Sequence, residues 1–197
     1  MPNRPAPFPV HLAAHGPRSL ELAGEVADGV WLGTGVHEED VRAALARVIA
    51  GAARAGRDPG ALEVAVFVRC FVGSRDAGLR ALSPSLAAVG HYALARVPAG
   101  KDIPAALLPA FAELHHRYDP IAHAVGGAEA PNARLIRELG LLDYLAHRFA
   151  IIGSAAEVAS RLRGLAAAGV GTAMVFLRGE DLDGQMRRFG AEVIALL

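Results

Sequence analysis

The first forty residues restrict the fold more than any other part of this chain, because they place a strand, a glycine turn, a helix and a second strand in close succession. A short apolar run ends at His15-Gly16-Pro17, where glycine tolerates a positive φ and proline favours the first turn of a helix. The pattern predicts strands over residues 9–14 and 29–33 and a helix over 17–27. Strands joined by a helix in this way are typical of a parallel sheet.

The turn between the first strand and the first helix is a candidate anion site. A helix that begins near Pro17 directs its free amide groups back at the end of the strand. Phosphate groups bind at such a position because unpaired N–H donors and the helix dipole both favour negative charge. Arg18 adds a guanidinium that can clamp a phosphate through two hydrogen bonds. The residues leave one alternative open, an ordinary strand-to-helix turn that binds nothing.

The rest of the chain continues the alternation of helices and strands. A long amphipathic helix begins near Glu38 and is ended by Gly56, and a third strand follows over residues 63–72. Residues 74–130 are interrupted by proline and glycine, and we predict an insertion of short helices there. After the insertion we predict a helix over 131–146, a helix that Ser154 and Glu157 cap, a strand over 172–177 and a final helix.

The composition excludes several classes of function. The 197 residues include 20 basic and 20 acidic side chains, so the net charge is zero, whereas proteins that bind nucleic acids or anionic membranes normally have a basic excess. Cys70 is the only cysteine, which excludes an intramolecular disulfide, and its apolar neighbours indicate a buried, unreactive thiol. The N-terminal MPNRPAPFPV is not typical of a signal peptide, and no segment has the roughly 18 apolar residues of a membrane span. We therefore expect a single-domain cytoplasmic protein over residues 1–197.

A histidine-rich segment is a weaker candidate for a site. His115, His116, Asp119 and His123 have a spacing that a zinc ion could use, but Pro120 interrupts the helix that would present them. A solvated or interfacial cluster is the favoured interpretation, so we predict no metal site. His11 and His15 are expected to share one face of the first strand.

Two stretches of the chain carry a family resemblance. AAHGPRSLELAGEVADGVWLG and FAIIGSAAEVASRLRGLAAAGVGTAMVFL resemble the bacterial luciferase-like oxidoreductases, and in particular their methylenetetrahydromethanopterin reductase-like branch. The resemblance covers residues 8–72 and 131–197 well and is weak between them. It implies a (β/α)₈ barrel that acts on a small-molecule substrate by hydride transfer or monooxygenation with FMN or the deazaflavin coenzyme F420.

The resemblance also implies a cofactor site and a direction for several strand ends. In the family, a segment like Ala14, His15, Gly16, Pro17 and Arg18 follows the fifth strand and binds the cofactor phosphate. On a barrel, the active face would then include Thr34, Gly35, Arg69, Cys70 and Arg178. Arg178 follows the last predicted strand and is the candidate for binding an anionic substrate. An ion pair with Glu180 or Asp181 is the alternative for Arg178.

The chain departs from the family in its extent. Its strands correspond to the fifth to eighth βα units, a half barrel, so the early-strand residues of the family have no counterpart and no catalytic residue can be assigned. Four parallel strands cannot close a barrel, and their unpaired edges favour association with another strand. A homodimer or a partner chain that completes the barrel would satisfy them. An open sheet covered by the central insertion, or a shortened chain, would also account for the absent strands.

Three functions are compatible with these residues and their resemblance. The first is a luciferase-like oxidoreductase that binds its cofactor phosphate at residues 14–18. The second is a cofactor-binding protein without catalytic activity. The third is a half-subunit that binds a cofactor only together with a partner chain.

Overall fold

One sheet of five parallel strands organises the chain, which a computed structural model describes over residues 8–197. The strands are His11–Ala14 (β1), Gly29–Leu32 (β2), Glu63–Val72 (β3), Ala150–Gly153 (β4) and Thr172–Leu177 (β5). The helices are Pro17–Val26 (α1), Glu38–Arg54 (α2), Arg75–Val89 (α3), Leu108–Arg117 (α4), Pro131–Glu138 (α5), Leu142–Phe149 (α6), Ala155–Ala167 (α7) and Leu182–Arg188 (α8). Most of the N-terminal segment for which we predict no signal peptide lies outside the described residues.

The pairing of the strands leaves one side each of β1, β4 and β5 free. β1 pairs with β2 along its whole length. β2 pairs with residues 63–66 of β3, β4 pairs with residues 69–72, and β5 pairs with residues 65–70. Because residues 69 and 70 pair with both β4 and β5, those two strands lie on opposite sides of β3. Between residues 8 and 197 no further strand pairs with β1 or β5, so the sheet does not close into a barrel.

The two faces of the sheet have different surroundings. Val66, Val68 and Cys70 of β3 pack with side chains of α1, α2 and α7 in the larger hydrophobic core. The side chains between them in a strand point to the opposite face, which we call the open face. The open face carries Trp31, Phe67, Arg69, Met174 and Phe176. Met174 is 49% exposed, so helices cover this face only in part.

A second hydrophobic core joins the insertion to the later helices. Leu82 of α3, Phe111 of α4, Ile136 of α5 and Leu145 of α6 are fully buried together. Phe71 at the end of β3 belongs to the same cluster. The central segment is therefore packed against the carboxyl end of the sheet, where a site would lie.

The insertion is more regular than the sequence predicts. Instead of short helices only, residues 74–130 contain α3, which spans 15 residues with Pro84 in its interior. A proline there removes a backbone hydrogen bond. The burial of Leu82 and Leu86 on either side of it favours the helix nevertheless.

The prediction of one helix over residues 131–146 is wrong. Gly140 has a φ of +67°, a left-handed conformation that ends a helix, so two helices, α5 and α6, occupy this region. Residues 150–153, for which no strand was predicted, form β4 because they pair with the end of β3.

Two local predictions about helix ends, the cap of α7 and the glycine after α2, are confirmed. The amide of Glu157 donates to Ser154 Oγ at 3.3 Å, and the amide of Ser154 donates to Glu157 Oε2 at 2.7 Å, which is the predicted capping box of α7. Gly56 has a φ of +67° directly after α2. Across the described part of the chain, no helix has the length and apolar character needed to cross a lipid bilayer.

Candidate functional site

A cavity of about 270 Å³ lies at the carboxyl ends of β1 and β2. We call it the first cavity. Its wall is formed by the turn before α1 and by the loop after β2 with the start of α2. Lys101 with its neighbours and Arg148, which lie far along the chain, complete the wall. The lining residues that the following paragraphs discuss are His15, Gly16, Pro17, Thr34, Asp40, Lys101 and Arg148.

The start of α1 lies at the wall of this cavity, which Gly16 and Pro17 line. Gly16 is the N-cap of the helix and Pro17 its first residue, and no side chain caps the helix. Ser19 Oγ accepts hydrogen bonds from the amides of His15 at 3.3 Å and Gly16 at 3.2 Å. The amides of Arg18 and Ser19 in the first turn have no partner within the helix. This end of α1 therefore has the donors that an anion requires.

His15 has a defined orientation and protonation state at the cavity wall. Its Nδ1 lies 3.2 Å from the carbonyl oxygen of Gly33, which can only accept, so Nδ1 carries the proton. Burial lowers the pKa of His15; the hydrogen bond to Gly33 opposes that shift, and the cations Lys101 and Arg69 add to it. The ring is therefore neutral at pH 7, and its Nε2 is a free acceptor.

Three cations line the first cavity, and one of them, Arg47, lies 3.6 Å from Glu21 Oε1. The other two, Lys101 and Arg148, lie near an unpaired hydroxyl. Arg148 is only 7% exposed; its Nε donates to the carbonyl of Thr34 at 2.8 Å, and its Nη1 donates to the hydroxyl of Tyr144 at 2.7 Å. Lys101 Nζ donates to the carbonyl of Ala93, and burial lowers the pKa of this amine. Thr34 Oγ1 is buried without a hydrogen-bond partner among residues 8–197.

Asp40 balances the charge of Arg148. Its Oδ1 lies 3.9 Å from Arg148 Nη2, and burial raises the pKa of the carboxyl group while Arg148 opposes that shift. Asp40 therefore offsets the charge of Arg148. Lys101, in contrast, has no carboxylate within 4.0 Å in the described part of the chain. The first cavity therefore combines a basic group with unpaired donors, an arrangement that suits a phosphate.

The structure separates the residues predicted for the cofactor site. His15, Gly16 and Pro17 line the first cavity, whereas Ala14 is fully buried in the larger core. Arg18 is exposed on α1 and does not line the cavity. Lys101 and Arg148 were missed because they lie far along the chain. The one signal was that Lys101 is the only lysine of the sequence.

A second cavity, of about 890 Å³, lies on the open face between β3, β5 and α3. Arg69 and Arg178 both line it. The guanidinium of Arg178 lies 4.0 Å from the centre of the Phe176 ring. The alternative ion pair with Glu180 or Asp181 is not formed, because Asp181 caps α8 instead, accepting from the amide of Gly184 at 2.8 Å.

Cys70 is not where the barrel analogy places it. Its side chain is fully buried in the larger core, on the face opposite Arg69. Burial raises the pKa of this thiol to about 12. The prediction of a buried thiol is confirmed. Its expected position on the active face is wrong, because alternate residues of a strand point to opposite faces.

The histidine-rich segment forms an aromatic cluster. The rings of His91 and Tyr118 stack at 4.1 Å, and the hydroxyl of Tyr118 lies 2.7 Å from His123 Nδ1. Within residues 8–197 no group of histidine, cysteine and acidic side chains could hold a metal ion. His11 lies 3.2 Å from Glu63, so it has a different partner from His15.

Known proteins resemble this chain over almost its whole length. Residues 1–172 match the family described as luciferase-like monooxygenases. The 5,10-methylenetetrahydromethanopterin reductase of Methanolobus tindarius is 34% identical over 164 residues, which are 82% of this chain and 46% of that protein. The reductase of the same name from Methanopyrus kandleri is 27% identical over 189 residues, 95% of this chain and 50% of that protein.

Solved structures show the same fold. The coenzyme F420 dependent tetrahydromethanopterin reductase from Methanopyrus kandleri matches with a TM-score of 0.64 and 24% identity, over 95% of this chain and 50% of that one. An F420-dependent secondary alcohol dehydrogenase in complex with an F420-acetone adduct matches with a TM-score of 0.67 and 15% identity, over 98% of this chain and 50% of that one. The chain thus spans about half the length of the relatives it matches.

Proposed function

We propose, because the chain belongs to the luciferase-like monooxygenase family, that it functions as an oxidoreductase whose cofactor, coenzyme F420 or FMN, binds with its phosphate group in the first cavity. The observation that carries the proposal is the uncapped start of α1, which faces Lys101 beside the unpartnered hydroxyl of Thr34. The names of the two relatives of known structure support the deazaflavin coenzyme F420, and FMN is the alternative that the family resemblance implies.

The residues of the first cavity fit a phosphate group. A buried hydroxyl without a partner costs free energy, and a phosphate oxygen would accept from Thr34 Oγ1. The free amides in the first turn of α1, next to the lining residues Gly16 and Pro17, would be further donors if the phosphate reached them, and Lys101 supplies positive charge. At about 270 Å³ the cavity is too small for a whole cofactor, so the remainder would extend along the open face.

Each residue has a distinct task in this proposal. Arg148 positions Thr34 through its hydrogen bond to the Thr34 carbonyl, and Asp40 offsets the charge of Arg148. His15 stays neutral, and its free Nε2 accepts a hydrogen bond from the bound cofactor. When bound, the reduced cofactor supplies the hydride, and the protein supplies orientation and exclusion of water. No catalytic acid is assigned.

We further propose that the sheet corresponds to the fifth to eighth strands of the family barrel, with β4 as an addition before the last of them. The free sides of β1 and β5 and the partly exposed open face support this assignment. A second copy of the chain or a separate partner chain then completes the barrel. The residues around Arg178 would belong to the substrate side of the site.

The length of the match leaves two further functions open. A chain that spans half of its relatives can bind a cofactor without turning over a substrate, or can require a partner chain for binding. Both keep the first cavity as a phosphate site in the assembled protein.

The proposal is tested by fluorescence titration of the purified protein with coenzyme F420 and with FMN. We expect saturable binding of one of them, and a loss of about 1.5–3 kcal/mol in binding free energy for Lys101→Met, because a charge-assisted hydrogen bond is removed. Gly16→Val should also weaken binding, since its side chain would crowd the space beside Lys101, whose Cε lies 3.7 Å from a Cβ at position 16.

Arg96→Met is the matched control, because Arg96 is exposed and does not line the first cavity. Arg18→Ala should weaken binding less than Lys101→Met, because Arg18 is exposed and does not line the first cavity. Unchanged affinity in both Lys101→Met and Gly16→Val contradicts the first cavity as the phosphate site. Absence of binding to the wild-type chain supports the half-subunit function.

A further inference from the structure

Two arginines on the open face have no acidic partner. Arg69 makes one hydrogen bond to the protein, from Nε to the carbonyl of Ser85 at 3.2 Å. Within residues 8–197 no carboxylate lies within 4.0 Å of either Arg69 or Arg178. Burial lowers the pKa of Arg69 to about 10. A buried cation without a counter-ion is costly unless something else pairs with it.

Aromatic rings hold both guanidiniums in place. Arg69 Cζ lies 5.0 Å from the centre of the Phe67 ring, and Arg178 Cζ lies 4.0 Å from the centre of the Phe176 ring. The two rings are themselves 5.4 Å apart. Cation–π contacts of this kind orient an arginine without neutralising it. The N–H groups that the rings do not use remain available to a ligand.

The surrounding cavity has the size and chemistry of a small-molecule site. Its volume of about 890 Å³ lies in the range typical of such sites. Apolar side chains such as Phe71 and Pro84 form part of its wall. Four arginines and two acidic residues line it, and one of the acids, Asp181, already caps α8. The cavity therefore has an excess of positive charge over an apolar floor.

We propose that the second cavity binds an organic anion with a planar carboxylate and an aromatic or other apolar body, the carboxylate pairing with Arg69 and Arg178. A guanidinium presents two parallel donors that match the two oxygens of a carboxylate, and the phenylalanine rings suit an apolar body. Naming this anion as the substrate rests on the proposed oxidoreductase function, whereas its binding does not. An acidic side chain of a partner chain is the competing counter-ion.

Calorimetric titration of the cofactor-free protein with benzoate and with its neutral isostere benzamide tests the assignment. We expect benzoate to bind saturably. Benzamide should bind at least about tenfold more weakly, because only the anion pairs with the guanidiniums. Arg69→Gln and Arg178→Gln should each weaken benzoate binding about fivefold or more. Arg187→Gln removes the same charge from α8 outside the cavity and should leave binding unchanged.

A thermal measurement keeps the test valid if Arg69→Gln folds poorly. At one benzoate concentration, the unfolding midpoint of the wild-type protein and of Lys101→Met should rise equally, and that of Arg178→Gln, whose side chain is exposed, should rise less. Equal binding of benzoate and benzamide, or unaltered benzoate binding in both arginine variants, overturns the proposal. So does a loss of self-association in those variants without benzoate binding to the wild type. Since no cofactor is present, failure here is separate from failure of the phosphate site.

Discussion

Gly33 controls where the ring of His15 can lie. A Cβ atom at position 33 would lie 1.9 Å from His15 Nδ1, a separation that no side chain tolerates. The absence of a side chain lets the imidazole approach the Gly33 carbonyl and makes its Nδ1 a donor. The ring also meets Tyr92 edge to face at 4.8 Å. The ends of β1 and β2 thus fix the orientation of the His15 ring at the wall of the first cavity.

The lowered pKa of His15 predicts a pH dependence of stability. Because its pKa is lower in the folded than in the unfolded state, where it is about 6.5, His15 contributes stability above that value, and this contribution is lost as the pH falls through the folded pKa. We expect His15→Gln to show a smaller loss of stability below pH 6.5 than the wild type, measured by urea unfolding at several pH values. The exposed His116→Gln is the control and should follow the wild type; an equal loss in His15→Gln contradicts the prediction.

Among the secondary-structure elements, helices α1 and α2 pack unusually closely through two glycines. A Cβ at Gly24 would lie 2.0 Å from the carbonyl oxygen of Val48, and one at Gly51 would lie 2.0 Å from that of Glu21. Each glycine therefore faces the backbone of the other helix. This contact sets the position of α1, and with it the direction of the free amides at the first cavity.

Substituting these glycines is expected to destabilise the fold. Gly24→Ala and Gly51→Ala should each lower the free energy of unfolding by about 1–3 kcal/mol, because a methyl group must push the two helices apart. The measurement is chemical denaturation monitored by circular dichroism. Gly190→Ala is the control, since a Cβ there meets nothing within 4 Å, and it should not lower stability. A mild effect at positions 24 and 51 would mean that the helices can separate without cost.

The molecule as a whole leaves more of its sheet exposed than a closed barrel would. β1 and β5 each pair on one side only within residues 8–197, and Met174 of the open face is 49% exposed. Unpaired parallel strands and an apolar face favour association.

A charged side chain introduced into the apolar part of the open face is therefore expected to weaken association. We predict that the wild-type chain sediments as a species larger than its 20.5 kDa monomer, and that Met174→Lys shifts it towards the monomer, because a buried lysine without a partner is costly. Ile49→Lys is matched in exposure at 49% but lies on α2, and it should leave sedimentation unchanged. A wild-type monomer that associates only with a second protein would favour a partner chain over the homodimer.

Local sequence was enough to specify most of the elements and the family. The alternation of strands and helices, the capping box at Ser154 and Glu157 and the turn at His15-Gly16-Pro17 all depend on neighbouring residues, and such short-range preferences can be read from a pattern. The luciferase-like resemblance rests on the same contiguous stretches. The phosphate site at residues 14–18 stays a prediction, of which the structure places His15, Gly16 and Pro17 at a cavity.

Packing between distant parts of the chain determined which residues share that cavity and which face each strand residue takes. Two strands, β2 and β3, lie between the turn and Lys101, which is itself part of the insertion, and Arg148 lies beyond the insertion. No local pattern therefore connects either residue with His15. Arg69 and Cys70 are adjacent in the chain yet lie on opposite faces, because the packing of α1, α2 and α7 selects one face of β3 for the core. Long-range contacts set these positions, and local sequence carries little information about them.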